Sequence, residues 1–395
     1  MGATLTTVAA ITKEVYGPRI VNQLENSAVL SKRIEKTSRN TTSEAGGKYV
    51  TFPLKVRRNS GLGYRNELEQ LQAPGQQGWA NVRVPLRYGY GRVHLSGQAM
   101  DLASENFQSF SSIITEEMEG LREDISKDTN RILWGNQTGR VATLDAGVTV
   151  NTFTVTQGFK YLEIGMVVDI MDASALPAAL ATARTIDALD KSTQEVTVDG
   201  AAFTTAAGDF IVRTGNYGRE PHGLESLVTD STASLFNLSS TTEPLWQSEV
   251  ETAVGALSEG AMTTMCDTLR ENGGRPTVIF TDLGSRRAYL NLLTTQRRFT
   301  NTQTFEGGHK GVAFSYDDDI PLVTDVDATE GAMYFLREPD FKIYQESDWE
   351  WEDTDGSLWK WVTNYDAFEA MIKKYWEFAI QRRNTQGLMT GITAG

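Results

Sequence analysis

The chain has 395 residues, of which 40 % are hydrophobic and 22 % are charged, an ordinary globular mixture with a length that suggests more than one lobe. A formal net charge of −14 argues against free nucleic-acid binding, because phosphate contacts need clustered Lys and Arg side chains. Cys266 is the single cysteine, which excludes an intrachain disulfide and favours a reducing cytoplasm, and no apolar run or basic leader indicates a membrane span or a secretion signal.

Residues 1–45 mix short helical patterns with breaks and are interpreted as an extended N-terminal arm. Residues 46–100 contain two runs of alternating apolar and polar residues around a polar, Gly-rich tip, which predicts a long β-hairpin. A lone hairpin is marginal in water, so its apolar face has to pack either on its own domain or on a neighbouring subunit, and the pattern supports both equally. The apolar positions are Val50, Phe52, Leu54 and Val56 in the first run and Val82, Val84, Leu86, Tyr88 and Tyr90 in the second.

Residues 101–138 predict one long helix. Ser104 is a candidate N-cap, apolar residues follow at three-to-four spacing to Trp134, and Gly135 and Asn136 end the pattern. A helix of this length would span roughly 45 Å and would form the spine of an elongated domain.

Residues 139–221 change character, since short β-patterned runs separated by turn residues predict a small all-β insertion such as a barrel. After a connection at 222–244, the spacing of apolar residues predicts a helix that begins at Pro244 and ends near Asn272. A buried strand over 277–281 and a short helix from Ser285 to about Leu293 complete an α+β unit within 245–325. The face of the first helix is predicted at Trp246, Val250, Ala253, Leu257, Ala261, Met265 and Leu269.

Further strands are predicted around Val312, Leu322, Met333 and Phe341, and the stretch 366–392 reads as long strands. The final residues, GLMTGITAG, are small and are expected to be mobile.

The residue pattern does not indicate an enzyme, a metal site or a cofactor. His94, His222 and His309 lie far apart in the chain, and Cys266 falls on a helical apolar face, which is typical of a buried structural thiol. The run 317–319 is interpreted as a solvated turn, and the stretch at 353–356 fails the register of a calcium loop. The sequence contains neither a phosphate-binding glycine motif nor a motif that positions a nucleophilic serine.

The charges are distributed unevenly. Residues 46–100 carry eight basic side chains against two acidic ones, whereas residues 340–355 carry seven acidic side chains against one basic. Opposite patches on a self-assembling chain orient neighbours, although two solvated faces, or contact of the basic arm with nucleic acid, are alternatives. We favour a contact between subunits. The candidate contact residues are Lys55, Arg57, Arg58, Arg65, Arg83 and Arg87 on the arm and Asp348, Glu350, Glu352, Asp353 and Asp355 on the acidic strand.

The order of these elements resembles the major capsid proteins of tailed bacteriophages, which share the Hong Kong 97-like capsid fold. The stretch ENGGRPTVIFTDLGSRRAYL is similar to the axial-domain helix–strand–helix of that family. The opening ATLTTVAAITKEVYGPRIVNQLENSAVLSKRI, the segment DIPLVTDVDATEGAMYFLREPDFKIYQESDWEWEDTDG and the end YWEFAIQRRNTQGLMTGI are similar to its N-terminal arm and peripheral strands. The resemblance implies an α+β fold in this order: N-terminal arm 1–45, extended loop 46–100, spine helix 101–138, β-rich insertion 139–221, connection 222–244, axial domain 245–325, and peripheral strands with the tail 326–395.

The resemblance also implies the function. The chain would form the pentamers and hexamers of an icosahedral head that encloses double-stranded DNA without sequence recognition, assembled in the host cytoplasm with a separate scaffolding protein, a portal and, in some heads, a decoration protein. One relative cross-links a lysine to an asparagine between subunits; Lys55 lies in the arm here, but no acceptor matches, so a non-covalent contact is expected. The alternatives are an encapsulin-type compartment shell, an oligomeric α+β enzyme, and a tail-tube or decoration protein.

Overall fold

The structure is a computed structural model that describes residues 30, 33–37, 49–98, 107–295, 302–304, 310–353 and 356–395. The predicted arm 1–45 therefore falls almost entirely outside the described residues, as do Ser104, His309 and Asp355. The chain divides into two compact units, Met1–Trp134 with Leu227–Gly395, and Gly135–Ser226. Within the described ranges, no helix combines the length and the apolar character needed to cross a membrane.

The secondary structure follows in chain order. The elements before the second unit are β1 Glu35–Thr37, β2 Tyr49–Arg57, β3 Gly78–Pro85, β4 Arg87–Ser96 and α1 Phe107–Trp134. Those that follow are β5 Arg140–Leu144, β6 Gly147–Val150, β7 Thr152–Gln157, β8 Val167–Met171, β9 Ala179–Asp190, β10 Glu195–Val198, β11 Phe203–Thr205, β12 Phe210–Arg213 and the short α2 Leu224–Leu227. The remainder comprises β13 Glu249–Glu251, α3 Glu259–Glu271, β14 Val278–Thr281, α4 Leu283–Thr295, β15 Thr302–Thr304, β16 Lys310–Ser315, β17 Asp319–Thr324, β18 Met333–Leu336, β19 Phe341–Gln345, β20 Glu350–Trp351, β21 Lys360–Trp361, β22 Ala367–Ile380 and β23 Gly387–Met389.

Helix α1 packs on a six-stranded sheet whose central strand is β22. Strands β4, β19, β20 and β21 all pair with β22, and β1 adds to β19 in parallel. Gly91 on β4 allows close packing, because an ideal Cβ there would lie 2.9 Å from both Ile125 Cδ1 on the helix and Ile372 Cγ2 on β22. Ile125 and Ile372 are buried with Trp349 between helix and sheet.

A seven-stranded sheet in the order β13-β23-β18-β14-β17-β16-β15 forms the second core of the same unit. Helix α3 covers it with one apolar face, and its first turn is capped by Ser258, whose side chain accepts a hydrogen bond from the Ala261 backbone N–H. The rings of Trp134, in the last turn of α1, lie 5.7 Å from Phe280 and 5.5 Å from Tyr334. This aromatic contact joins the long helix to the seven-stranded sheet. The buried residues of the α3 face are Met262, Met265, Cys266 and Leu269.

The predicted helix from Pro244 is wrong over its first half. Residues 249–251 form β13, which pairs in parallel with β23, and the helix begins only at Glu259. Ala253 and Gly255 have φ angles of 56° and 68°, a left-handed backbone that interrupts any right-handed helix. The helical spacing of Trp246 and Val250 therefore arises from a buried loop and an adjacent strand.

The predicted single strand from Val82 to Tyr90 is two strands in different sheets. Strand β3 ends at Pro85, which has no N–H for a β ladder, and β4 begins at Arg87. Tyr88 on β4 is the register partner of Tyr375 on β22. The expectation of a mobile C-terminal tail is also wrong for its first half, since β23 is buried between β13 and β18.

In the second unit, the strands close into a barrel in the order β10-β7-β5-β12-β8-β9, with β6 and β11 paired beside it. Its interior is apolar and includes Phe153, Val168, Ile186 and Ile211. The ends of the unit lie together, because the Gly218 backbone N–H donates to the Thr138 carbonyl over 3.1 Å.

Candidate functional site: the β-hairpin and the acidic strands

The base of the β2–β3 hairpin packs against its own chain. Val50 pairs with Val84 and Phe52 with Val82, so these four residues share one face. The three valines are fully buried, and the Phe52 ring stacks on Tyr344 of β19 with centroids 6.2 Å apart. Of the two alternatives that the alternation left open, packing on the same domain therefore holds for the base of the hairpin.

The opposite face of the hairpin is exposed and basic. Lys55, Arg57 and Arg83 occupy it, and Lys55 lies opposite the exposed Trp79 in the ladder. Arg57 has a partner within the chain, because its Nη2 lies 3.2 Å from Glu243 Oε1. Arginine and tryptophan are enriched at protein–protein interfaces, so this face has the composition of a contact surface.

The tip of the hairpin, residues 58–77, forms a closed loop beyond the ladder. Gly61 and Gly75 meet at its neck, where an ideal Cβ on Gly61 would lie 2.6 Å from the Gly75 nitrogen. Glu69 accepts hydrogen bonds of 3.0 Å from the backbone and side-chain nitrogens of Asn66. Both bonds hold the pKa of Glu69 below its usual value, and the backbone bond has the larger effect. Large apolar side chains, 83–101 % exposed, cover the loop at Leu62, Tyr64, Leu68 and Leu71.

Arg87, which the sequence assigned to the arm, belongs to the six-stranded sheet. Its Nε lies 3.6 Å from Oε2 of the fully buried Glu377 on β22. Arg87 therefore compensates a buried charge within its own subunit, and it lies on β4 beyond Pro85, where the hairpin ends. Its contact with a neighbouring subunit stays a prediction.

Asp348 also serves the interior of its own subunit. Its Oδ1 lies 2.7 Å from Lys374 Nζ and its Oδ2 lies 3.2 Å from Lys36 Nζ on β1. Burial raises the pKa of Asp348, but the charge of Lys374, its hydrogen bond and the charge of Lys36 outweigh burial and lower that pKa to about 2. This ion-pair triad ties β1 and β22 to the loop before β20.

The other acidic residues divide between partners and solvent. Glu352 forms an ion pair with Lys373. The hydrogen bond between them is the largest of the causes that raise the pKa of Lys373. Glu350 is exposed on β20, Asp353 is half-buried, and Asp355 lies outside the described residues. Two of the five predicted contact residues, Asp348 and Glu352, are therefore paired with lysines of their own sheet, which reduces the charge that this segment can offer to a neighbour.

An exposed acidic stripe on α1 was missed by the sequence analysis. Glu117, Glu123 and Asp124 are exposed, whereas the neighbouring Met118 and Ile125 are buried against the sheet. Glu117 and Asp124 lie about two helical turns apart on one face, and this spacing is the signal that could have identified a charged stripe.

In the part of the chain that the structure describes, no three His, Cys, Asp or Glu side chains lie close enough together to hold a metal ion. Cys266 is buried in the α3 core, and burial followed by the charge of Asp267 raises its pKa to about 12. In the turn at 317–319, Arg270 forms an ion pair with Asp317, and Arg275 Nη2 lies 2.8 Å from Asp318 Oδ2.

Among known proteins, no family model and no curated sequence matches the chain. The cyanophage A-1(L) capsid asymmetric unit matches it with a TM-score of 0.54 and 14 % identity, over 94 % of this chain and 92 % of that chain. Mycobacterium phage Bobi matches with a TM-score of 0.46 and 9 % identity over 93 % and 91 %. The holo-SrpI encapsulin complex from Synechococcus elongatus matches with a TM-score of 0.45 and 7 % identity over 92 % and 87 %.

The likeness to the cyanophage capsid covers nearly the whole of both chains and defines the fold. The chain has the mixed α and β architecture of a phage capsid protein, the Hong Kong 97-like capsid fold. This confirms the fold that the sequence resemblance implied.

Proposed function

We propose that the chain is the major capsid protein of a tailed bacteriophage, which self-assembles into the pentamers and hexamers of an icosahedral head. The supporting observation is the capsid fold over 94 % of the chain. The head would enclose double-stranded DNA without sequence-specific binding, in keeping with the net charge of −14. A separate scaffolding protein, a portal and a decoration protein are the proposed partners, with assembly in the host cytoplasm.

In this proposal, the six-stranded sheet with α1 is the peripheral domain, and the seven-stranded sheet with α3 and α4 is the axial domain near the symmetry axes. The barrel unit is the insertion. Closed symmetry repeats each contact around the ring, so modest contacts add up to a stable shell.

The tip of the hairpin is the proposed contact with the neighbouring subunit. The base is held by burial of Val50, Val82 and Val84, which fixes the direction in which the tip points. Transfer of the exposed tip side chains from water onto a neighbour contributes about 25 cal/mol per Å² of apolar surface. The hairpin thus combines an anchored base with an unburied apolar end.

The basic side chains of the arm would orient this contact. Lys55, Arg58, Arg65 and Arg83 are exposed, and we propose that they face the acidic stripe of α1 on the next subunit. Exposed ion pairs contribute about 0–1 kcal/mol each, so their role is register and encounter rather than strength.

Electron microscopy of the purified protein tests the shell, and a tip variant tests the contact. The variant carries Leu62→Ser, Tyr64→Ser, Leu68→Asn and Leu71→Ser; asparagine suits Leu68, whose φ is 69°. We expect a chain with unchanged circular dichroism and unfolding temperature that no longer forms closed particles. A matched control carries Ile164→Ser and Leu176→Ser, which replace exposed apolar side chains of the barrel unit and should leave the particles intact.

Particles of normal yield from the tip variant would contradict the contact, and a wild-type chain that stays monomeric under all conditions would contradict the shell. Particles that hold an enzyme cargo in place of DNA would identify a compartment shell.

A charge exchange tests the orientation separately. Lys55→Glu with Arg83→Glu should slow assembly, most strongly at low salt. Mixing that variant with a chain carrying Glu117→Lys, Glu123→Lys and Asp124→Lys should restore part of the rate, as followed by light scattering. Equal slowing with and without the complementary chain would exclude α1 as the acceptor.

A further inference from the structure

Strand β4 forms one edge of the six-stranded sheet. It pairs with β22 along its whole length, from Arg87 opposite Trp376 to Ser96 opposite Ala367. Among the residues that the structure describes, no strand pairs with the other side of β4. Such an edge presents a row of backbone N–H and C=O groups that another strand can bond.

Every second residue of β4 directs its backbone groups to this open edge. Arg92 lies opposite Met371 in the ladder, and the Met371 carbonyl accepts from the Glu352 N–H on the far side of β22 over 2.8 Å. Arg92 and Met371 are therefore not bonded to each other. Because bonded and non-bonded pairs alternate in an antiparallel ladder, the even-numbered residues of β4 face outward. The exposed members of this set are Tyr88, Tyr90, Arg92 and His94.

The strands of the β2–β3 hairpin have edges that are protected against pairing. The Arg83 N–H of β3 points away from β2 and donates to the Phe236 carbonyl over 3.2 Å. By the same alternation, Pro85 on β3 and Pro53 on β2 occupy outward positions, where they have no N–H to offer. Proline at an edge prevents pairing with another chain. Strand β4 contains no proline, so its edge lacks this protection.

We propose that β4 pairs in antiparallel with β4 of a second copy of the chain, about a two-fold axis at Gly91, which joins two six-stranded sheets edge to edge. In this register, Tyr90 lies opposite Arg92 of the second copy. Tyr88 lies opposite His94 in the same way, and each of these pairs exchanges two backbone hydrogen bonds. A two-fold contact is self-complementary, so one strand supplies both sides. The inference adds a contact to the proposed shell but requires only two copies.

The side chains at the edge are complementary in this register. The rings of Tyr88 and Tyr90 are 55–57 % exposed and lie 5.0 and 6.1 Å from the ring of Tyr375. The Arg92 side chain forms an ion pair with Glu369 and is still 62 % exposed. Its guanidinium can therefore lie against the Tyr90 ring of the second copy, a cation–π contact that adds to the backbone bonds.

The two neighbouring registers fit less well. A two-fold axis at Arg92 sets two arginines face to face, and like charges directly opposite destabilise a ladder. An axis at Tyr90 sets His94 opposite Leu86, beyond the end of β4, which shortens the ladder. The register about Gly91 is the one in which Arg92 and His94 each meet a tyrosine.

Disulfide formation between two variants of the full-length chain tests the register. The Cα atoms of a hydrogen-bonded antiparallel pair lie about 5.5 Å apart, within the range that a disulfide bridges. A mixture of Tyr90→Cys and Arg92→Cys chains should form a covalent dimer on mild oxidation, as seen on a non-reducing gel, and either variant alone should form none. The native Cys266 is buried and should not react.

The matched control mixes Met371→Cys with Arg92→Cys chains. Met371 lies on the same face of the sheet but one strand inside the edge, so this mixture should give no dimer. A dimer from the control mixture, or from Tyr90→Cys alone, would overturn the register. The absence of a dimer from the test mixture would overturn the pairing itself.

The sign of a charge at position 90 gives a second readout, measured by sedimentation velocity in the tip variant. Tyr90→Glu sets a carboxylate opposite Arg92 of the second copy and should keep the two-fold dimer, whereas Tyr90→Lys sets like charges together and should abolish it. Met371→Lys adds the same charge on β22 and should keep the dimer. Equal behaviour of Tyr90→Glu and Tyr90→Lys would overturn the proposal.

The outcomes separate this inference from the proposed function. Closed particles that form without the disulfide between positions 90 and 92 would overturn the edge pairing and leave the shell in place. A disulfide-linked dimer that never forms particles would support the edge pairing and contradict the shell.

Discussion

The Phe52 ring of β2 stacks on the Tyr344 ring of β19, with an interplanar angle of 26° and ring centroids 6.2 Å apart. This contact fastens the hairpin to the strand that pairs with β22, the centre of the six-stranded sheet. The hairpin is thus an integral part of its subunit at the base and an exposed extension only at the tip. Assembly and stability should therefore respond to different parts of the same hairpin.

Val84→Ala tests the base. Val84 is fully buried and pairs with Val50, so loss of its methyl groups removes apolar burial and leaves a small cavity. We expect the free energy of unfolding to fall by about 2 kcal/mol, as measured by urea denaturation. The control Thr51→Ala, on the exposed face of the same ladder, should change it little. Equal effects of the two substitutions would mean that the base is not docked on its own chain.

Asp348→Asn tests the ion-pair triad through pH. Because the folded-state pKa of Asp348 is about 2 against 3.8 for an ordinary aspartate, its contribution is fully present above about pH 4 and is lost as the pH falls toward 2. That difference corresponds to about 2 kcal/mol. Urea unfolding at a series of pH values should show a gap between wild type and variant that closes below pH 4. The control Asp318→Asn, at an exposed turn residue, should change the free energy of unfolding by no more than about 1 kcal/mol.

Arg383 is a buried side chain that holds three segments of the chain together, although no sequence pattern marks it. Its guanidinium donates to the carbonyls of Leu227, Trp246 and Thr229 over 3.1, 3.1 and 2.8 Å. Burial lowers its pKa to about 10, with the charge of Asp230 opposing, so the group stays charged at neutral pH.

Arg383→Met removes these hydrogen bonds while keeping a side chain of similar volume. The carbonyls of Leu227 and Trp246 lose the Arg383 donor, whereas the Thr229 carbonyl keeps a bond of 3.3 Å from the Ser248 backbone N–H. Each buried acceptor left without a donor costs about 1–3 kcal/mol, so we expect a loss of at least about 2 kcal/mol in urea unfolding. Arg382→Met is the matched control, because Arg382 donates to one carbonyl, that of Gly273, at the surface. A loss from Arg382→Met as large as that from Arg383→Met would contradict this role of Arg383.

The spacing of apolar residues predicts an element correctly where that spacing has a single physical cause, namely one buried face. The alternation from Val50 to Val56 and the three-to-four spacing in α1 both arise from one buried face, and strand and helix formed there. Trp246 and Val250 have helical spacing for a different reason, since one is buried in a loop and the other lies on a strand. The positive φ angles of Ala253 and Gly255 prevent a helix there, and the spacing of apolar residues carries no information about them.

The charged surface was harder to predict, because charge counts do not reveal partners. Asp348 and Glu352 meet Lys374 and Lys373 of β22, a strand that follows the acidic segment in the sequence and pairs back onto it. These lysines lie outside both segments whose charges the sequence analysis compared, 46–100 and 340–355. The register between β20 and β22, which brings them beside the acidic residues, depends on long-range strand pairing and cannot be obtained from a count of charges.

Gly91→Ala and Gly120→Ala form a matched pair, because Gly91 lies inside the interface between α1 and the six-stranded sheet and Gly120 lies on the outer face of α1. A methyl group at Gly91 would lie 2.9 Å from Ile125 Cδ1 and from Ile372 Cγ2, so α1 would have to move away from the sheet. Overpacking of this kind costs about 1–3 kcal/mol. Gly120 lies on the exposed face of α1 with no atom within 4 Å of an added Cβ, and alanine there should stabilise by about 0.5–1 kcal/mol because it restricts the unfolded chain.

Thermal and urea unfolding of the two variants should therefore shift in opposite directions. If Gly91→Ala leaves stability unchanged, α1 does not pack on β4 and β22 as closely as these distances require. If Gly120→Ala destabilises the isolated subunit, the exposed stripe of α1 is covered within its own chain, and α1 could not then be the acceptor of a neighbour's arm.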